Sequence, residues 1–277
     1  MPPGLATWLR RHKLLALGGV LVGAMILLAA VAPLIAGDPV ILQAFNRNKP
    51  PSDRFWFGTD NFGRDVYNRT VFGARVSLLV GAAVAALSLS IGVTIGLVAG
   101  FDRRLDAVVM RIMDGLMAIP GVLLAISLIA LAKPSVAIVI LAITIPEVPR
   151  VVRLVRSLVL SVREQPYIEA AISAGTPRAR ILRRHVLPNI VPPLIVQGTY
   201  VCASAILIEA GLSFLGAGTP AEIPTWGNMI ASGRSFFQLA PWMIFFPGAC
   251  LAITVLGINL LGDGLRDSLD PRIAKRL

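Results

Sequence analysis

Three carboxylates stand where carboxylates are expensive. Asp114, Glu147 and Glu209 fall in or beside long apolar runs, and an ionised group in hydrocarbon costs several kcal/mol. Each is therefore expected to face a bundle interior, water or a partner, and a translocation path is the chemistry such groups would serve. Asp114 lies close to Arg111 and Glu147 close to Arg150; local ion pairs near water-facing helix ends account better for those two. Glu209 has no basic neighbour in its own segment. It is the best single candidate for a cavity or outer-gate residue, with an interhelical hydrogen bond to backbone or to a partner subunit as the equal alternative.

The groups of covalent chemistry are not arranged for it, and no catalytic residue is expected. Cys202 and Cys250 sit inside apolar segments without C-x-x-C spacing, so they read as small core residues and not as a disulfide framework or a zinc site. There is no His-rich or Cys-rich metal tract. None of the four lysines, Lys13, Lys49, Lys133 and Lys275, follows a glycine, which leaves no G-K-[ST] phosphate loop. GAGTPA at Gly216 imitates a dinucleotide fingerprint but follows an apolar run instead of a strand. No cofactor is expected in this chain.

The elements that position these residues are membrane helices. Of 277 residues 56% are hydrophobic and 15% charged, with a mean hydropathy of +0.76, too apolar for a soluble domain. A helix rising about 1.5 Å per residue needs roughly 20 apolar residues to cross roughly 30 Å of hydrocarbon. Six runs fit: Leu14 to Ala36, Val76 to Gly100, Ile112 to Ala132, Ser135 to Leu154, Ile190 to Leu215 and Pro241 to Leu261. The fold class is all-α integral membrane with six transmembrane helices. The fourth run carries Pro146, Glu147, Pro149 and Arg150, so a kinked, buried helix is expected there. Gly92 and Gly96 form a G-x-x-x-G spacing that lets another helix come close.

The net charge of +11 could suggest nucleic acid, but the basic residues lie between apolar runs and follow loop orientation instead. With both termini in the cytoplasm, most of them fall inside: Arg10, Arg11 and Lys13, then Arg103, Arg104 and Arg111, eight from Arg150 to Arg184, and those after the sixth run. Six from Arg47 to Arg75 fall outside, against the rule. The first run is too long for a signal-peptide core and reads as an uncleaved anchor.

Between the fourth and fifth runs, residues 161–188 read as two short helices joined by a sharp turn. Pro166 can open the first helix and Gly175 suits the left-handed position that ends it. Thr176 can cap the second, Pro177 sits at its first position, and Pro188 limits its far end. Arg180, Arg183 and Arg184 share one face, suiting anionic lipid headgroups, while Ile181 and Leu182 face protein. From charge alone, a solvated basic loop that sets topology is the favoured reading.

Glu169-Ala170-Ala171, Gly175 and Leu187-Pro188 together resemble the EAA motif of binding-protein-dependent ABC importer permeases. His185 stands where that family usually has isoleucine. FGTDNFGRD (Phe57 to Asp65), VFGARVSLLVG (Val71 to Gly81), GLSFLGAG (Gly211 to Gly218), PTWGNMI (Pro224 to Ile230) and NLLGDGLRDSLDPR (Asn259 to Arg272) resemble the C-type subunits of the dipeptide, oligopeptide and nickel branch. The resemblance implies residues 1–75 as an anchor helix and outer loop, and 76–277 as an importer transmembrane domain with its cytoplasmic coupling hairpin at 161–188.

By the same resemblance, Glu169 is a polar anchor on a partner ATPase, Ala170 and Ala171 permit close packing, and Gly175 makes the turn. The partners implied are a second permease subunit, two ATP-binding cassette ATPase subunits that bind ATP and Mg, and an extracytoplasmic substrate-binding protein. That receptor would dock on the outer loops Gly37 to Arg75 and Gly216 to Ala240. Asp60 and Asp65 are expected to pair there with Arg64 or Arg69. The implied setting is a bacterial or archaeal cytoplasmic (inner) membrane, with di- or oligopeptide cargo favoured over nickel or another small solute. An ion-gradient carrier is the alternative of another class; the absence of an inverted repeat argues against it.

Overall fold

The computed structural model describes residues 13–269. Arg10 and Arg11, the expected cytoplasmic termini and the last residues of NLLGDGLRDSLDPR lie outside the described residues. Among the described residues, ten α-helices carry the fold: α1 Lys13–Ile35, α2 Val66–Phe101, α3 Arg103–Met117, α4 Gly121–Ala130, α5 Val136–Arg163, α6 Pro166–Ser173, α7 Arg178–Ile181, α8 Leu187–Phe214, α9 Trp226–Gly233 and α10 Trp242–Leu269. The described residues contain no strand, only an isolated bridge between Thr59 and Asp65.

Among the described residues, four helical stretches are long and apolar enough to cross a bilayer, namely α1, α2, the continuous run Arg178–Phe214, and α10, and the bent pair α3–α4 passes together as a fifth, broken one. The other two expected spans need correction. Ile112 to Ala132 is not one helix, because α3 and α4 meet at 81° across Ala118, Ile119 and Pro120. Proline lacks the N–H that would continue the ladder and pushes the residue before it out of helical geometry. The run expected to end at Leu154 continues to Arg163 with Pro146 and Pro149 inside it. Its second half carries Arg150, Arg153, Arg156 and Arg163, so α5 as a whole is not apolar enough to count as a span by composition. Helix α2 also starts well before Val76, because the Asp65 carboxylate accepts the Tyr67 N–H and caps it.

Glycine sets the distances between helices. On α2, a Cβ at Gly92, Gly96 or Gly100 would come within 2.6, 2.6 and 2.7 Å of the Val151, Val155 and Val159 side chains. A four-residue repeat of nothing therefore meets a four-residue repeat of valine, and α2 and α5 lie backbone against side chain. This resolves the G-x-x-x-G spacing as packing within the chain. Gly81 admits Ile206 of α8, and Gly257 of α10 admits Leu21 and Val22 of α1.

One end of the bundle is pinned by buried polar groups. The Asp60 carboxylate accepts from Arg64 Nε at 2.6 Å and from the backbone N–H of Phe62 and Arg64. Arg69, buried, donates to the carbonyls of Pro39 and Ala221, tying α2 to the segments that follow α1 and α8, and lies 4.0 Å from Asp60. Asp60 thus finds the expected arginines, whereas Asp65 is spent on the helix cap. Trp226 at the start of α9 is fully buried; its indole N–H donates to the Thr70 carbonyl and its backbone N–H to Ser77 Oγ. Gly73, in the VFGAR segment, leaves room for that ring.

Candidate functional site: a hairpin at one end and a carboxylate clamp at the other

The hairpin begins where Pro166 occupies the first turn of α6, a position whose N–H would have no partner in any case. Helix α6 ends in two backbone bonds: Thr176 N–H to the Ala171 carbonyl at 3.0 Å, and Gly175 N–H to the Ile172 carbonyl at 2.9 Å. This is a Schellman closure with Gly175 in the left-handed position at φ +75°. A side chain at Gly175 would meet nothing within 4 Å, so backbone conformation alone demands glycine.

Two isoleucines root the hairpin in the bundle. Ile168 and Ile181 are both buried and join the core cluster with Val159 and Val186, and Ala171, Leu182 and Leu187 pack against it. Glu169 and Ala170, the two residues after Ile168 on α6, are exposed. Ile181 and Leu182 were legible as protein-facing; Ile168 was not singled out, although its place next to Glu169 in a short amphipathic turn could have marked it. The arms are bridged where Asn189 Nδ2 donates to the Tyr167 hydroxyl at 3.4 Å. At the base, Arg178 pairs with Asp102 at 3.4 Å, and Arg163 donates to the Phe101 carbonyl. The Asp102 carboxyl is held below the usual carboxylate range, first by the Arg104 and Leu105 N–H groups that it caps and then by Arg178.

Two expectations for the second arm fail. Thr176 does not cap α7, since Pro177 itself holds the N-cap position with no side-chain bond. Pro188 does not end the helix either. Residues Leu182–Val186 form a π turn in which Leu187 N–H reaches the Leu182 carbonyl, and the chain runs on into α8. The wider turn re-pairs carbonyls around a proline that cannot donate.

The three membrane-level carboxylates stay apart. Asp114 is 55% exposed and pairs with Arg153 of α5 at 2.5 Å, not with Arg111; Arg156 and Asp106 make a parallel link between the same helices. Glu147 is 2% exposed and bonded to Arg150 at 2.7 Å, as its spacing suggested, but it is buried and not solvated. Glu209 is sealed at 1% exposure. Its Oε1 accepts from the hydroxyls of Ser213 and Thr225, each at 2.9 Å, while Oε2 has no partner. Thr225 in turn caps α9 by accepting the Asn228 N–H. Through Oε1 the carboxylate thus clamps α8 to the start of α9 inside this chain, by side-chain hydroxyls and not by backbone. Among the described residues no three His, Cys, Asp or Glu side chains gather as a metal set.

Residues 92–275, two thirds of the chain, match the family described as binding-protein-dependent transport system inner membrane component. The chain belongs to that family. Its helices from Gly92 onward, the hairpin and the α8–α9 clamp all fall in the permease region so defined. A probable peptide ABC transporter permease protein of Sinorhizobium fredii is 56% identical over 267 residues, covering 96% of this chain and 92% of that protein. The dipeptide transport system permease DppC of Alkalihalophilus pseudofirmus is 44% identical, and the oligopeptide transport system permease OppC of Bacillus subtilis 40%; each match covers 96% of this chain and 88% of the relative. Among solved structures, a chain of the MetNI methionine ABC transporter in an inward-facing conformation superposes with a TM-score of 0.61 at 20% identity, covering 73% of this chain and 96% of that one. The two chains share a fold. The chain is a multi-pass inner-membrane subunit, and its family is a transport permease component.

Proposed function

We propose that this chain is one of two permease subunits in a receptor-dependent, ATP-driven importer of di- or oligopeptides. Relatives named as peptide permeases at 40% to 56% identity support the cargo class. The observation that carries the mechanism is the hairpin: α6 exposes Glu169 and Ala170 while Ile168 and Ile181 anchor it in the core. A surface held in this way passes a push on to α5 and α8 instead of absorbing it locally.

In this reading the hairpin faces the cytoplasm and sits on a partner ATPase that binds ATP and Mg. Glu169 is the polar contact, Ala170 and Ala171 allow close approach, Gly175 holds the turn, and Leu187 and Pro188 carry it into α8. Nucleotide-driven closure of two ATPase subunits draws the hairpins of the two permeases together, and hydrolysis resets them. A receptor protein delivers cargo at the outer loops, so that each ligand biases one of two bundle states. Glu209 stabilises the outer end of the path. Asp114 acts as an ion-paired strut between α3 and α5, and Glu147 is neutralised by Arg150 within α5.

Charge reversal at Glu169 tests this directly. In vesicles holding the full complex, Glu169→Arg is expected to leave the subunit inserted and ATP hydrolysis running while peptide uptake stops. Uptake at the normal ratio to hydrolysis in that variant, or thiol labelling of a Ser173→Cys variant only from the periplasmic side, refutes the proposal.

A further inference from the structure

On the hairpin's second arm, Arg180, Arg183, Arg184, Ala179 and Pro188 line one open cavity of about 620 Å³. All three arginines are exposed, and among the described residues none has an acidic partner. Arg178, one turn earlier, does have one in Asp102. Three like charges converging on a cavity without a counterion call for an anion from outside the chain.

The same side of the helix changes character above the arginines. Pro188, Val191 and Ile195 follow at the three- and four-residue spacing of one helix face, and Val191 and Ile195 are exposed at 40% and 43%. A cytosolic protein surface has little use for an aliphatic ridge directly above a basic pocket. A phospholipid needs both, stacked in that order.

The depth agrees. The apolar run of α8 begins at Ile190, six residues beyond Arg184, which places Arg184 about 9 Å outside the hydrocarbon at 1.5 Å per residue. The headgroup layer on each face is roughly 5–8 Å thick, and an arginine side chain bridges the remainder by reaching toward it. The π turn at Leu182–Val186 holds Arg183 and Arg184 within the widened segment, where both line the same pocket as Arg180.

We propose that this cavity is a headgroup site for an anionic phospholipid of the adjacent leaflet, with its phosphate on Arg180, Arg183 and Arg184 and an acyl chain along Val191 and Ile195. The site needs the hairpin to lie at the membrane surface, but it does not depend on the cargo or on ATP coupling.

Native mass spectrometry of the full-length chain purified in mild detergent tests it, with phosphatidylglycerol or phosphatidylcholine as the added lipid. Wild type is expected to retain phosphatidylglycerol in preference to phosphatidylcholine. The triple variant Arg180→Gln, Arg183→Gln, Arg184→Gln should bind it about a hundredfold more weakly at low salt, at roughly fivefold per basic residue near an anionic surface. A control lacking the same number of exposed charges, Arg103→Gln, Arg104→Gln, Arg266→Gln, should keep its lipid. Equal retention by the triple variant and wild type overturns the proposal. So does displacement of the lipid by inorganic phosphate at matched concentration, which would mark a soluble-anion site. If the triple variant retains lipid but loses the ATPase on co-purification, the surface is a protein contact and the proposal fails. Because the readout involves no transport, an error in the importer reading leaves the result interpretable.

Discussion

The turn at Gly175 isolates one variable, and a substitution series there can be worked through in advance. A Cβ at Gly175 would meet nothing within 4 Å, so Asn, Ala and Val introduce no collision at that atom. All three must hold φ at +75°, and that cost separates them. Asn tolerates the left-handed region best, Ala costs about 1 kcal/mol, and a β-branched residue about 2 kcal/mol. A difference of one to two kcal/mol changes the ratio of closed to opened turn by roughly five- to thirtyfold. The two bonds at risk are Thr176 N–H to Ala171 and Gly175 N–H to Ile172, the ones that keep Ala170 and Ala171 presented on a finished helix. In vesicles of the complete importer, peptide imported per ATP hydrolysed should fall in the order Gly, Asn, Ala, Val, with membrane insertion unchanged. A Gly175→Val complex that couples as well as wild type would refute the reasoning. Equal loss in Asn and Val would also refute it, by showing that the side chain and not the dihedral matters.

Gly96→Leu should destabilise the α2–α5 contact by about 1–3 kcal/mol through overpacking against Val155, read as a lower melting temperature in detergent; Gly96→Ala should be partly rescued by Val155→Ala. Glu209→Ala leaves the Ser213 and Thr225 hydroxyls without their buried acceptor, costing about 1–3 kcal/mol, and hydrogen exchange should speed first in α9. Trp226→Phe removes one indole hydrogen bond and should cost about 1 kcal/mol, with faster proteolysis of the outer segment between α8 and α10 as the check. Asp102 has a lowered folded pKa, so its capping contribution is complete at neutral pH and is lost only as the pH falls below the ordinary carboxylate range. Protection factors at the first turn of α3, corrected for the intrinsic exchange rate, should fall there in wild type and stay pH-independent in Asp102→Ala.

Local features of this chain were readable wherever a residue's constraint is satisfied within a turn of itself. Gly175, Pro166 and the Glu147–Arg150 pair are of this kind, as are the apolar runs that became α1, α2, α8 and α10. Features that depend on which helices become neighbours were not. Asp114 had Arg111 within reach along its own helix, yet the α3–α5 packing offered Arg153 across the interface, and the pair formed there. Glu209 could be read as needing a donor. Ser213 lies one turn away, but Thr225 arrives only because the segment before α9 folds back. Pro188 misled because proline rules assume an α turn on both sides, and a π turn evades them.

The run from Arg178 to Phe214 is 37 residues long, about 55 Å at 1.5 Å per residue, and it behaves as a rod with an uneven stiffness. Pro188, Pro192 and Pro193 withdraw their backbone donors near its foot, just above the π turn, whereas the ladder from Leu194 to Glu209 is unbroken by proline. Bending is concentrated at the bottom, and the upper shaft turns as a unit. In the proposed importer, a tilt begun at the hairpin would reach the Glu209–Thr225 fastening as a rotation of the shaft, gearing one rim of the bundle to the other.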